Sequence, residues 1–195
     1  MAGTHPNGVS QPLTDAYIKQ TTVGEPDLYN APITLADYDP AWPQHFAREA
    51  ERIRDVLGAG AIRIEHIGST SVPGLVAKPL IDMLLVVANS ADEPSYAPAL
   101  EAAGYVLRIR EPEWHQHQLF KGPDININMH VFSVGCEESE RCLLFRDWLR
   151  THSSDLDLYA RTKQALAQQE WRYVQNYADA KSSVIAEIMA RAQAV

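Results

Sequence analysis

Asp82 is the one acid in an apolar, strand-like run over residues 80–87. An ionised carboxylate in such surroundings costs several kcal/mol unless something neutralises it, on the order of that for any uncompensated buried charge. A second apolar run, 61–67, comes before it, and the two flank a loop of small residues with Gly68, Ser69, Thr70, Ser71, Gly74 and Lys78. Glycines let backbone approach a polyphosphate closely, and hydroxyls with exposed N–H groups supply anion contacts. A divalent cation is the usual partner of an acid beside such a loop. Transfer of a phosphoryl or nucleotidyl group needs a polyphosphate cradle, a charge-neutralising metal and a positioned nucleophile. Gly68, Ser69, Thr70 and Ser71 are the candidate cradle, Lys78 the offsetting charge, and Asp82 the metal ligand. As a bare pattern, the same stretch is also a Gly/Ser turn with a capped helix.

Other chemistry-bearing residues gather around this pair of runs. In the segment 125–133, period-two alternation puts Asn126, Asn128, His130 and Phe132 on one face. A lone histidine there is an ordinary structural residue, and so is His66 just before the loop. With Asp82 they would make one carboxylate and two imidazoles on three neighbouring strands, a divalent-metal or acid–base cluster. Asp82 and His130 are therefore the expected metal ligands, and Asp82, His130 and His66 the expected catalytic set. His115 and His117, two apart, are placed in the same cleft, with Glu65 and Asn128 beside them as substrate-pocket residues. Trp114 is a core or rim residue that could stack on a base. The basic residues Arg63, Lys78, Arg108, Arg110 and Lys121 could gather around one cleft, with Lys121 a further phosphate contact. Lys163 and Lys181, on C-terminal helices, are candidates to close over the phosphates.

The elements that must position these groups follow from periodicity. Residues 1–30, rich in Thr, Pro, Gly and Asn, read as a mobile arm, within which 13–20 can form a short docking helix. A short strand is expected at 33–35. A turn over 38–43 opens a helix stopped by Gly58 and Gly60. After the two informative strands come a helix at 94–103, a strand at 105–109, and strands 116–121 and 125–133 joined by Gly122-Pro123-Asp124. Helices are expected over 138–151, 154–169 and 173–193. The arrangement is α+β, with an α/β core over 31–136 and a helical region over 137–195 forming one compact domain.

Composition narrows the partners. A net charge of −8 argues against a general nucleic-acid binder. No apolar run approaches the ~20 residues of a membrane span, and the N-terminus lacks the basic and apolar regions of a secretory leader. The expectation is a cytoplasmic protein, monomer or homodimer. Cys136 and Cys142 read as plain thiols rather than a disulfide or a zinc site.

Residues 63–87 closely resemble the signature of the GrpB family. So do Tyr38-Asp39-Pro40-x-Trp42-Pro43, Met129-His130-Val131-Phe132, Leu143-Leu144-Phe145-Arg146-Asp147-Trp148-Leu149-Arg150, and the closing stretch with Tyr159, Lys163, Tyr177 and Lys181. The resemblance spans roughly 33–192. It implies relation to the nucleotidyltransferase-like superfamily: a mixed β-sheet packed on helices, with a C-terminal helical part. That superfamily has a Gly-Ser pair after one strand and an acid on the next, matched by Gly68, Ser69 and Asp82. A second acid is expected two residues on, where Leu84 stands, and a third on a later strand, where His130 stands. The implied function is an enzyme that binds ATP or another nucleoside triphosphate with Mg2+ or another divalent metal. It would transfer a nucleotidyl group to a small-molecule acceptor or activate that acceptor for ligation. The alternatives are a non-catalytic nucleotide- or metabolite-binding module, and a metal-dependent hydrolase or isomerase built on His66, Asp82, His117 and His130.

Overall fold

The computed structural model describes residues 13–194. Its centre is a five-stranded sheet of β2 (Arg63–Ile67), β3 (Ile81–Val87), β4 (Val106–Glu111), β5 (His117–Lys121) and β6 (Ile127–Ser133), in the order β2-β3-β6-β5-β4. Every pairing is antiparallel except β3 with β6. A parallel neighbour demands a crossover. Here it runs through the short helix α3 (Ala97–Ala102) and the β4–β5 hairpin.

Each sheet face buries a different set of side chains, as alternation requires. On one face Met83, Leu85, Met129 and Val131 pack with Trp42, Ala50 and Ile53 of α2 (Trp42–Leu57). Asp39 accepts a hydrogen bond from Ala41 N just before α2, and Pro43 stands in its first turn. Gly58, at φ 53°, ends it, a conformation that L side chains disfavour. On the opposite face Ile67, Leu84, Val86 and Phe132 meet Cys142 and Leu143 of α4 (Glu137–Thr151). The same face of β3 and β6 carries Asp82, Asn128 and His130, because the parallel register aligns Asp82 with Asn128 and Leu84 with His130.

A second core joins α4 to the remaining helices, α5 (Ser153–Ala167) and α7 (Ser182–Ala192), through Phe145, Leu149, Tyr159, Ile185 and Ile188. Val72 and Leu75, from the stretch leading to β3, plug into it. The helical region is thereby fused to the loop it covers. The α+β class expected from the sequence is the one observed, and Cys136 and Cys142 are free. Among the described residues, no helix is long and apolar enough to cross a membrane.

Several boundaries depart from the sequence expectation. Residues 1–12 of the expected arm lie outside the described residues. The rest of it is built in: α1 (Asp15–Thr21) buries Ile18, and Val23 N bonds Arg108 O at the β4 edge. The short strand falls at β1 (Ala31–Pro32), not 33–35. It pairs with β7 (Glu170–Trp171), which ends the helical reading of 154–169 at Ala167. The expected helix over 173–193 is two, α6 (Val174–Asp179) and α7, broken at Ala180-Lys181. No glycine or proline marks that break.

Candidate functional site

The floor of the site is the sheet face that α4 leaves open beyond Cys142. Asp82 Oδ1 accepts from Asn128 Nδ2 at 3.2 Å and lies 3.7 Å from His130 Nε2. Burial works against its charge, yet the Asn128 amide donates to it and the Asp82 carboxyl is held down at about 2. Burial, in turn, pushes His130 down to about 4, against the pull of Asp82, so the ring is neutral at physiological pH. From His130 a chain of contacts crosses to the sheet edge. His130 Nδ1 meets His117 Nε2 at 3.0 Å, His117 Nδ1 meets Glu111 Oε2 at 2.6 Å, and the Tyr17 hydroxyl donates to Glu111 Oε1 at 2.7 Å. Although burial opposes its charge, the His117 hydrogen bond keeps Glu111 below the usual carboxylate range.

The small-residue loop stands directly against the acid. Gly68 has φ 68°, and a Cβ built there would collide with the Asp82 carboxylate. Only glycine permits that approach. The loop is clamped from two helices. Arg150 of α4 donates twice to Ser71 O, at 3.1 and 2.8 Å, and Arg146 donates to His66 O and Glu65 Oε2. From α5, Lys163 Nζ donates to Ser69 Oγ at 2.9 Å and to Val76 O, with its ammonium 4.9 Å from the Tyr159 ring centroid.

Four lysines gather around this acid. Lys163 is 2% exposed within the largest buried side chains, and burial drives its ammonium well below an ordinary lysine, with repulsion from Lys181 adding to the effect. Burial also lowers Lys181, while Tyr177 and Asp82 pull the other way. Lys78 and Lys121 are lowered by burial and by a lysine neighbour, Lys181 and Lys78 respectively, and Asp82 partly restores both. Asp82 therefore lies within electrostatic reach of all four. Lys181 covers the Tyr177 ring at 4.7 Å. The Tyr177 hydroxyl is one of two buried side-chain polar atoms without a hydrogen-bond partner among the described residues.

A cleft of about 220 Å³ opens from this charge cluster. Lys78, Lys121, Asn128 and His130 line one part of it; Trp114, Leu119, Ile109 and Phe132 supply apolar surface, with Tyr17, Glu111 and His117 between. Leu13 and Val174, from the two chain-terminal regions, also line it.

The GrpB protein family matches residues 32–191, more than half of the chain. The chain belongs to the GrpB family. A UPF0157 protein of Halalkalibacterium halodurans is 62% identical over 185 residues, covering 95% of each chain. One of Streptomyces coelicolor is 45% identical over 172 residues, covering 88% of this chain and 89% of the other. The crystal structure of the conserved protein GrpB from Enterococcus faecalis aligns with a TM-score of 0.72 at 29% identity. It covers 82% of this chain and 96% of that one.

In this GrpB protein the expected residues divide sharply. Asp82, His130, Asn128, His117, Gly68, Ser69 and the four lysines are brought together. His66 is not: in the β2–β3 register it pairs with Met83, which puts it on the opposite face from Asp82. There it stacks on Phe46 at 4.9 Å and bonds Thr70 Oγ1 at 3.1 Å, and burial lowers it to about 4. That parity takes His66 out of the expected grouping with Asp82, His117 and His130. Thr70 and Ser71 are buried, and their hydroxyls donate to Leu80 O and Gly68 O, shaping the loop instead of facing a ligand. His115 sits exposed in the β4–β5 turn, against Trp114, outside the cleft. Glu65 is taken by Arg63 and Arg146, and although burial opposes it, these two hold its carboxyl below the usual range.

Of the basic residues, Lys78, Arg108 and Lys121 line the cleft. Arg63 pairs with Glu65 and Glu140, and Arg110 with Glu93, away from it. Sequence reasoning assigns no site role to Glu111 or Tyr17, and it marks Arg150 and Tyr177 only as parts of family motifs. The six-residue spacing of Glu111 and His117 across a hairpin was the available signal for the first.

A metal would find a donor set of modest size. Among the described residues no three His, Cys, Asp or Glu side chains group as a metal site. Asp82 Oδ1 and His130 Nε2 are near enough for one cation to touch both. Mg2+ beside phosphates is ordinarily held by one or two carboxylates completed by substrate oxygens. Asp82 supplies one such carboxylate, and the His130 imidazole is a donor that transition-metal ions take more readily. The residues present therefore fit a divalent cation held largely by substrate oxygens.

Proposed function

We propose that this GrpB protein binds a nucleoside triphosphate with a divalent cation and passes its nucleotidyl group to a small-molecule acceptor, or activates that acceptor for ligation. The observation that carries this reading is the charge imbalance at Asp82. Four buried or half-buried lysines lie within electrostatic reach of that one carboxylate, and burial is the main cause of their lowered affinity for protons. A triphosphate supplies the balancing negative charge. Asp82 and His130 would hold the cation, whose chemistry is to neutralise charge on the phosphates as a bond breaks.

The chain's own residues do the rest. Lys163 and Lys181 bind phosphate from the helical side, and Lys78 and Lys121 from the sheet side. Gly68 keeps the backbone close enough for the phosphates to reach Asp82. The acceptor takes the part of the cleft walled by Trp114, Leu119 and Phe132, so that its hydroxyl, carboxylate or amine bonds to the α-phosphorus as the bond from that phosphorus to pyrophosphate breaks. The proton of a hydroxyl or amine passes to solvent. Such positioning and electrostatic stabilisation carry most of the catalysis in phosphoryl-type transfers.

Calorimetry with ATP, with and without Mg2+, tests the reading on wild type and Asp82→Asn. Wild type is expected to bind ATP more tightly with Mg2+, and the variant to lose that gain while still binding ATP alone. Identical metal dependence in both would remove Asp82 from the site. A second reading, a binding module without turnover, is favoured by Leu84. It is fully buried in the apolar core where the superfamily's second acid is expected, which leaves Asp82 as the lone carboxylate of that strand. Tight nucleotide binding with no pyrophosphate released across a broad acceptor panel would support it.

A further inference from the structure

We propose that Glu111, acting through His117, fixes the tautomer of His130 so that its Nε2 presents a lone pair to the space beside Asp82. The inference deepens the proposed cation site and rests on that reading for its purpose, but its chemistry is testable in the protein alone. Hydrogen-bond accounting leads to it. An ionised carboxylate only accepts, and Glu111 accepts from the Tyr17 hydroxyl at 2.7 Å and meets His117 Nδ1 at 2.6 Å. His117 must therefore carry a proton on Nδ1.

The 3.7 Å gap from His130 Nε2 to Asp82 Oδ1 is too long for an N–H donated to a carboxylate, which would close to about 2.7–2.9 Å. The His130 proton therefore sits on Nδ1 and is donated across the 3.0 Å contact to His117 Nε2. The remaining His130 nitrogen, Nε2, has no proton. Two electron-rich atoms facing each other without a proton between them suit a cation. Glu111 and His117 are thus positioning residues, comparable to the outer-shell partners that orient metal-binding histidines in general.

The test is nitrogen NMR on metal-free protein labelled with ¹⁵N-histidine, with His130 assigned by difference against His130→Gln. Wild type is expected to show His130 protonated at Nδ1 and bare at Nε2. In Glu111→Gln the new amide can donate to His117 Nδ1, which inverts both rings, so His130 is expected to appear protonated at Nε2. Glu111→Met, which neither accepts nor donates, is expected to give a mixture of the two forms. A proton on Nε2 of wild-type His130, or a Glu111→Gln spectrum unchanged at His130, would overturn the proposal. The wild-type spectrum alone can do so, whatever the variants' folding. Mn2+ affinity in the presence of tripolyphosphate is expected to fall at least about tenfold in Glu111→Gln, with metal-free tripolyphosphate binding unchanged. A wild type that takes up no Mn2+ would count against the proposed function, while the tautomer assignment still stands or falls on the spectra.

Discussion

At the scale of single residues, the lysines around Asp82 are the groups most out of balance with their surroundings. Lys163 and Lys181 have proton affinities pushed down by burial, Lys181 adds repulsion to Lys163, and Asp82 offsets only part of this. A bound polyanion raises those affinities again, so binding should draw protons from solvent. The sign follows from linkage: affinity is fullest where the lysines of the free protein are protonated, and is lost as pH rises through their bound-state values. Tripolyphosphate calorimetry carried from neutral pH up into the ordinary lysine range, in buffers of different ionisation enthalpy, should show proton uptake and weakening with pH. Lys181→Met should lose about tenfold or more in affinity, the usual value of a hydrogen bond to a charged group, and part of the uptake. Affinity independent of pH, or unaffected by Lys181→Met, would contradict this assignment. Residue type and spacing made Asp82, Gly68 and His130 legible from the sequence. The face that His66 occupies was not, because it depends on the β2–β3 register, and a one-residue change of parity moves a side chain across the sheet.

At the scale of elements, α4 and α5 act as a vice on the loop before β3. Arg150 places two guanidinium nitrogens on Ser71 O, and Lys163 reaches Ser69 and Val76 from the other side. A hydrogen-bonded charge of this kind contributes about 1.5–3 kcal/mol. Arg150→Met should lower stability by roughly that amount, and should raise amide hydrogen exchange over 68–72 more than in the sheet. Uniform exchange throughout would show that the clamp has no local effect. The strands and longest helices were readable because β3 is apolar apart from Asp82, β6 alternates with period two, and α2 carries an apolar stripe. The break between α6 and α7 was not readable. It lacks a glycine or proline, and its visible consequence is tertiary: Lys181 turned over the Tyr177 ring. The fate of the Thr70 and Ser71 hydroxyls was equally hidden, since a serine-rich loop reads the same whether its oxygens face a ligand or its own carbonyls.

At the scale of the whole molecule, sequence-distant pieces close around one sheet face. The cleft takes Leu13 and Tyr17 from the beginning of the described chain, Glu111 and His117 from the β4–β5 hairpin, and Val174 and Ala178 from α6. The sequence allowed a short docking helix at 13–20, and α1 stands there with Ile18 buried. Its role as a wall of the cleft was not readable, because a low-hydrophobicity segment of that kind reads as an arm. The fold brings the neutral His130 imidazole, Lys78 and Lys121 to the wall of one cleft. Asp82 lies within electrostatic reach of these lysines and of Lys163 and Lys181, which is the arrangement from which nucleotide binding is inferred. Anomalous diffraction from crystals soaked with ATP and Mn2+ tests this most directly. A manganese peak is expected between Asp82 and His130, with phosphate density reaching Lys163 and Lys181. Nucleotide and metal bound away from Asp82, or density in the cleft with the lysines untouched, would contradict it.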